Sequence, residues 1–324
     1  MRYECRIRDA RAISMGVFFF ILLGGADVCR AQFPPQTSRP ATRAVEKKPG
    51  EFQPGVSIDW DARAVRVRGR VAQTAGPLEF FACFAGKDHE SAIRMEAEAE
   101  HVFMALGLCG NTPGAPIVWN ENTSRYSMPT GDLIDVFVTW SAESDELRRA
   151  GAFDWLIDSA TEQKPLARPW VFTGSIRAEG DSLAAGRTGA GVAIVDMPDS
   201  LLALTRSYAS GDNDLWAVAN SEAIPASGTP VTVEFRPAAP RSRDISLDFR
   251  GTIRIDGQIV SIADAVDAIS LMLKLDQKAT ISVKTGDAMK ADYARLEEAL
   301  KSAGVPVERI QADASRAAEQ PNGR

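Results

Sequence analysis

The chain has two histidines, His89 and His101, with Glu90, Ser91, Glu98 and Glu100 beside them. Two imidazoles and a carboxylate make a zinc site, and neutral imidazole is the commonest metal ligand. The helical spacing of paired histidine ligands is absent, however. The flanking acids read equally well as the solvated first turn of a helix, where negative charge is favourable. A zinc ion held by His89 and His101 therefore stays an alternative, and a His89 hydrogen bond within a loop is the preferred reading. Ser91 follows His89 by two residues and would share its face on an extended segment. Asp88 and Glu90 would then point the other way, so no Ser-His-Asp relay assembles from these neighbours. No Gly-x-Ser-x-Gly elbow occurs either, and no catalytic residue is assigned. His89, Glu90, Ser91 and His101 are the candidate functional residues.

Four cysteines are present, at 5, 29, 83 and 109. A Cys83–Cys109 disulfide would close a loop of about 25 residues and contribute roughly 3 kcal/mol. Two buried, unpaired thiols are the simpler reading, and the pair stays open as a redox partner for the histidines. Gly186, Gly189 and Gly191 imitate a phosphate loop but lead into a strand rather than a helix N-terminus. Asp212, Asn213 and Asp214 read as a capped turn, since no twelve-residue calcium loop follows. Of six tryptophans, at 60, 119, 140, 155, 170 and 216, most read as core. Trp119, in Ile117-Val118-Trp119-Asn120, is the one expected to be exposed, as a binding aromatic.

The elements that must position these residues follow from periodicity. With 45% hydrophobic residues the 324-residue chain can bury a core. Its net charge of −6 argues against a nucleic-acid surface. Arg2, Arg6, Arg8 and Arg11 precede the apolar run Ile13–Leu23, which is too short to span a bilayer and has the layout of an export signal ending near Ala31. Export to the periplasm or cell envelope is the expectation, with membrane attachment only through an uncleaved leader. Residues 32–55, rich in proline, read as a disordered tether. Residues 56–235 read as a mainly antiparallel β body with strands near Val65–Arg68, Leu78–Phe84, Leu133–Trp140, Trp170–Thr173, Gly191–Val195 and Val231–Phe235. One helix is expected over Glu96–Leu108 and a shorter one over Ser200–Leu204. A linker at 236–244 leads to a small domain over 245–311 of order β-β-β-α-β-α-β, with a hairpin at Asp256-Gly257 and a helix capped by Ser261. Residues 312–324 read as a frayed tail. The fold class is α+β, a β-rich body followed by a two-helix α/β sheet domain.

The body resembles the YdjY-type domain of bacterial exported proteins. The resemblance rests on Ile58-Asp59, Val65, Val67 and Gly69, Gly76-Pro77-Leu78-Glu79, and Lys87-Asp88-His89-Glu90-Ser91 with the following helix. It continues through Trp170 to Ser175, Asn213 to Trp216, Ile224-Pro225 and Gly228 to Val231. It implies an exported domain and no particular reaction. Relatives with additional cysteines have been described as ferredoxin-like, but a cluster needs four ligands and this body has two. Residues 245–311 are similar to the periplasmic domain of the ExbD/TolR family in Thr252 to Gly257, Ile281 to Lys284 and Tyr293 to Pro306. No apolar span precedes Ile245, so motor function is not carried over. The missing catalytic constellation and the two modules on flexible linkers, read with these resemblances, point to a non-enzymatic binding or assembly module with an envelope protein or cell-wall component as partner. A metal-dependent or redox accessory enzyme using His89, His101, Cys83 and Cys109 is the alternative.

Overall fold

Between Ala64 and Val71, Val65, Val67 and Val71 face inward while Arg66, Arg68 and Arg70 face out. This is the two-residue period of a strand buried on one side. The computed structural model describes residues 50–314 apart from 123, 143, 178–180, 209–214, 287 and 289. The expected leader, most of the expected tether, the turn expected at Asp212–Asp214 and the end of the expected tail lie outside the described residues.

The described residues open with β1 (Glu51–Gln53), β2 (Val56–Asp59), β3 (Ala64–Val71), β4 (Phe80–Cys83), β5 (Ser91–Met95) and helix α1 (Ala99–Leu108). An arm follows, made of β6 (Pro113–Ala115), β7 (Val118–Asn120), β8 (Arg125–Ser127) and β9 (Thr130–Gly131), in which β6 pairs with β9 and β7 with β8. The body continues with β10 (Leu133–Ser141), β11 (Leu147–Gly151), β12 (Leu156–Asp158), β13 (Trp170–Phe172), α2 (Ala184–Thr188), β14 (Val192–Ala193), β15 (Leu202–Leu204), β16 (Ala217–Ala219) and β17 (Pro230–Pro237). Eight of these strands form a ring in the order β3-β17-β10-β13-β15-β14-β4-β5 and back to β3. The body is therefore a closed barrel, which the periodicity alone had not shown. Its pairings are antiparallel except β4–β5 and β14–β15.

Closure depends on β3 having two neighbours along one edge. Residues 64–67 pair with β2 and residues 69–71 with β5, while β17 takes the other edge. Gly69 sits where the partner changes, and a Cβ there would come within 2.6 Å of the Arg94 carbonyl oxygen. Trp155, Trp170, Phe81, Phe172 and Phe235 fill the interior. Helix α1 buries Val102, Ala105 and Leu106 in the same core. Full burial of side chains like these contributes about 1.5–3 kcal/mol each. Outside, the buried Glu234 carboxylate receives Arg66 Nε at 2.9 Å and Arg149 Nη2 at 3.1 Å, with Arg236 Nε at 2.7 Å. Burial raises its pKa, but the charges of Arg236, Arg66 and Arg149, the last two hydrogen-bonded to it, outweigh that and hold it below the usual range.

Two local expectations need correcting. Ser200–Leu204, expected as a helix, contains strand β15, because Leu202 is paired on one side with Phe172 and on the other with Val192. The end of the tether is ordered: Glu51 and Gln53 pair with Ser57 and Val56 in the first hairpin. The glycine-rich segment from Gly186 holds the end of α2, then Gly189 in the left-handed region, and leads into β14 as expected.

The C-terminal module contains β18 (Ile245–Leu247), β19 (Ile253–Ile255), β20 (Gln258–Val260), α3 (Ile262–Leu275), β21 (Ile281–Lys284), α4 (Lys290–Ser302) and β22 (Ile310–Asp313). The sheet order is β20-β19-β18-β21-β22. Asp256 and Gly257 adopt φ of +53° and +81°, the values that a tight two-residue hairpin needs. The Ser261 hydroxyl accepts the Asp264 N–H at 3.1 Å and so caps α3. Ile269, Leu273, Leu296 and Leu300 pack on Ile255, Ile281 and Val283.

The module is docked on the barrel. Leu166 of the body belongs to its core, and Leu133 and Val171 on the outside of the barrel meet Leu271 of α3. Arg168, with a side chain 7% exposed, places Nη1 2.8 Å from Asp267 and Nη2 3.5 Å from Asp264. The connecting segment is also pinned: the Ala238 N–H donates to Leu133 O at 2.8 Å, Arg241 pairs with Asp135, and Arg243 bonds Asp256 and the Ala167 carbonyl.

Candidate functional site

His89 lies on a single 3₁₀ turn, Asp88–Glu90, joining β4 to β5, and its side chain is 74% exposed. Its Nε2 is 3.7 Å from Glu90, whose other oxygen is 2.6 Å from Lys87 Nζ. Ser91 is buried, and its hydroxyl donates to the Lys87 carbonyl at 2.6 Å. The hydroxyl is thus turned to the turn's own backbone and to Cys83, while the imidazole stays at the surface.

His101 sits in the first turn of α1 with Nε2 3.6 Å from Glu98. Its Nδ1 is buried and has no hydrogen-bond partner among the described residues. The ring borders a cleft of about 590 Å³ that Arg70, Arg94, Glu96 and Glu98 also line. Arg70 and Arg94 are directly opposite each other across β3 and β5, and they are separately neutralised by Glu96 and Asp88. The two histidines thus pair with different carboxylates. Among the described residues no group of three or more His, Cys, Asp or Glu is placed to hold a metal ion.

Cys83 and Cys109 are both buried free thiols. Burial pushes the Cys83 thiol up to about 11, against a smaller opposing effect of its hydrogen bond with Ser91. Burial also raises Cys109, with Arg63 opposing it. The thiolate is the reactive form, so both should be inert near neutral pH. Native protein treated with excess iodoacetamide at pH 7.5 is expected to keep Cys83 and Cys109 unmodified, and denatured protein to be modified at both. Peptide mass mapping reads each site directly, and rapid native labelling of Cys83 would contradict it.

Trp119 is exposed, as expected, at 49%. It faces Tyr126 across the β7–β8 ladder, edge to face, with ring centroids 4.9 Å apart. Val118, Tyr126 and Met128 on the same arm are also between 43% and 50% exposed. The base of the arm is tight: a Cβ on Gly114 would lie 2.1 Å from the Thr130 carbonyl oxygen, and one on Gly131 the same distance from that of Phe172. Sequence reasoning missed Trp60, which is 62% exposed at the tip of the β2–β3 hairpin. Its signal was its place in Asp59-Trp60-Asp61-Ala62, a polar stretch between two strand patterns that reads as a turn, where side chains stand in solvent.

A closed, mostly antiparallel barrel with an inserted aromatic arm, followed by a small α/β module, defines the protein as a two-module chain of the α+β class. A family model described as the YdjY domain matches residues 56–236, and the chain belongs to the YdjY family. No curated protein and no solved structure matches it.

Proposed function

We propose that this chain is an exported cell-envelope protein whose barrel is a binding module, engaging a cell-wall component or an envelope protein through the aromatic arm. The observation that carries this reading is the Trp119–Tyr126 pair. Two large rings, fixed edge to face on a short ladder, stand about half exposed at the end of an arm with a glycine-tight base. Rings held this way lose little conformational freedom on binding and bury much apolar surface, the properties of recognition anchors. The apolar run Ile13–Leu23 supports export, and the C-terminal module, whose sequence resembles the ExbD/TolR periplasmic domain, would make a second contact at the envelope.

The test compares wild type with W119A/Y126A in sedimentation with purified cell-wall sacculi and in photo-crosslinking from position 119 in cells. Wild type is expected to sediment or to crosslink to one envelope protein. The double variant should lose at least tenfold of the sedimentation with its Tm unchanged, because both rings project from the arm. Binding unaffected by the double substitution, or neither sedimentation nor a crosslink in wild type, overturns the reading.

A further inference from the structure

Most cationic side chains of the barrel face a carboxylate, as Arg66, Arg68, Arg70, Arg94 and Arg149 do. Arg63 and Lys274 have no carboxylate within ion-pair distance among the described residues. They nevertheless line one groove of about 260 Å³ where the barrel meets the end of α3. Arg63 comes from the β2–β3 hairpin of the body and Lys274 from the last turn of α3, so the two charges reach the groove from different modules.

Arg63 is held in place rather than left to wander. Its backbone is in the left-handed region at φ +49°, where a non-glycine residue persists only when its surroundings hold it. Its Nε donates to the Cys109 carbonyl at 3.0 Å. The guanidinium rests on Gly110, where a Cβ would come 2.8 Å from Nη2. With one edge of the fork fixed in this way, no acceptor among the described residues takes the Nη donors. The other polar groups of the groove are largely committed. Asn111, buried, donates from Nδ2 to the Leu106 carbonyl, and Asp132 accepts the Thr112 N–H at 2.8 Å. Asp132 is the single acid of the lining against two cations, so the groove carries a surplus positive charge. Leu133, Pro237 and Leu275 supply apolar wall, which strengthens charge interactions by displacing water.

We propose that this groove binds the oxyanion group of a small molecule, a phosphate or a carboxylate, between the Arg63 fork and Lys274. A planar guanidinium grips such a group through two parallel N–H bonds, and the ammonium adds a point charge. At roughly 30 Å³ per water-sized volume, the space suits a small molecule and not a polymer segment. A ligand seated there touches both modules and so strengthens their docking. The site is independent of the aromatic arm.

Isothermal titration calorimetry and thermal unfolding of the full chain with inorganic phosphate, and separately with malonate, test the proposal. One site per chain and a rise in Tm are expected for at least one probe, with the tighter probe showing whether phosphate or carboxylate is the preferred head group. K274Q and R63Q should each weaken binding at least tenfold, D132N should tighten it, and R187Q, an exposed arginine on α2, should leave it unchanged. Lys274 is exposed, so K274Q keeps the test decisive even where R63Q disturbs the hairpin. Absence of binding by both probes, or binding that K274Q leaves intact, overturns the proposal.

Discussion

R168A is expected to lose about 3 kcal/mol of stability, the scale seen when one partner of a buried ion pair is removed. Arg168 is 8% exposed and is a buried polar contact between barrel and C-terminal module, reaching Asp267 and Asp264 together. Arg206 also pairs with Asp264, so Asp264 keeps a counterion in the variant while Asp267 loses its only guanidinium hydrogen bond among the described residues. Burial already raises the Asp267 pKa above the ordinary carboxylate value, with Arg168 opposing that rise. A carboxyl whose folded pKa is raised favours the fold below its unfolded pKa and loses that contribution as pH climbs through the folded value. The deficit of R168A should therefore be largest near pH 7 and shrink as pH falls through the range where Asp267 protonates. Adding D267N removes the stranded charge, so R168A/D267N should be more stable than R168A alone. Denaturant unfolding of the single and double variants at pH 7 and pH 4.5 measures all of this. An R168A protein within 1 kcal/mol of wild type would show that the apolar contacts at Leu133, Val171 and Leu271, with the Arg206–Asp264 pair, are sufficient to dock the module.

W170A is expected to be more damaging, about 4 kcal/mol, in the range for deleting a buried large aromatic. Trp170 is 1% exposed, lies 4.7 Å from the Phe153 ring and 6.1 Å from Phe81 by centroid, and its strand is paired on both edges. Its indole N–H also donates to the Ala193 carbonyl at 3.1 Å, tying β13 to β14 across the interior. W170F keeps most of the volume and loses that bond, so it should cost roughly 1–2 kcal/mol. Equilibrium unfolding in guanidinium separates the two effects. A W170F loss as large as that of W170A would mean that the hydrogen bond, not the packing, holds the barrel closed at this point.

What could be read in advance follows a simple physical division. The Val65/Val67 against Arg66/Arg68 alternation, the Asp256-Gly257 hairpin and the Ser261 cap are set by neighbours in the chain, and all three stand as read. Leu201 to Leu204 has no such local signal, since an apolar run of this length suits a helix or a strand. Its pairing with Phe172 and Val192 decides, and those partners lie elsewhere in the chain. Ring closure was hidden for the same reason, because it rests on β3 changing partner at Gly69. At the candidate site, the exposure of Trp119 was legible from its polar neighbours. The orphaned Nδ1 of His101 and the isolation of Arg63 and Lys274 were not, since each depends on what fails to come near. His89 and His101, close in sequence, are parted because one rides a surface turn and the other a helix packed into the barrel.

The change of partner along β3 also bears on how the molecule is made. Arg66 and Glu234, joined across the first and last strands of the ring, are 168 residues apart in sequence. The N-terminal hairpin can form early, but the ring stays open until the segment around Val231–Phe235 has arrived. Pairings of such long range make folding slow and nearly all-or-none. A chain still being synthesised stays unlocked until almost the whole body has been made. The final strand then acts as a clasp, and the C-terminal module that follows it directly settles on a barrel that has only just closed.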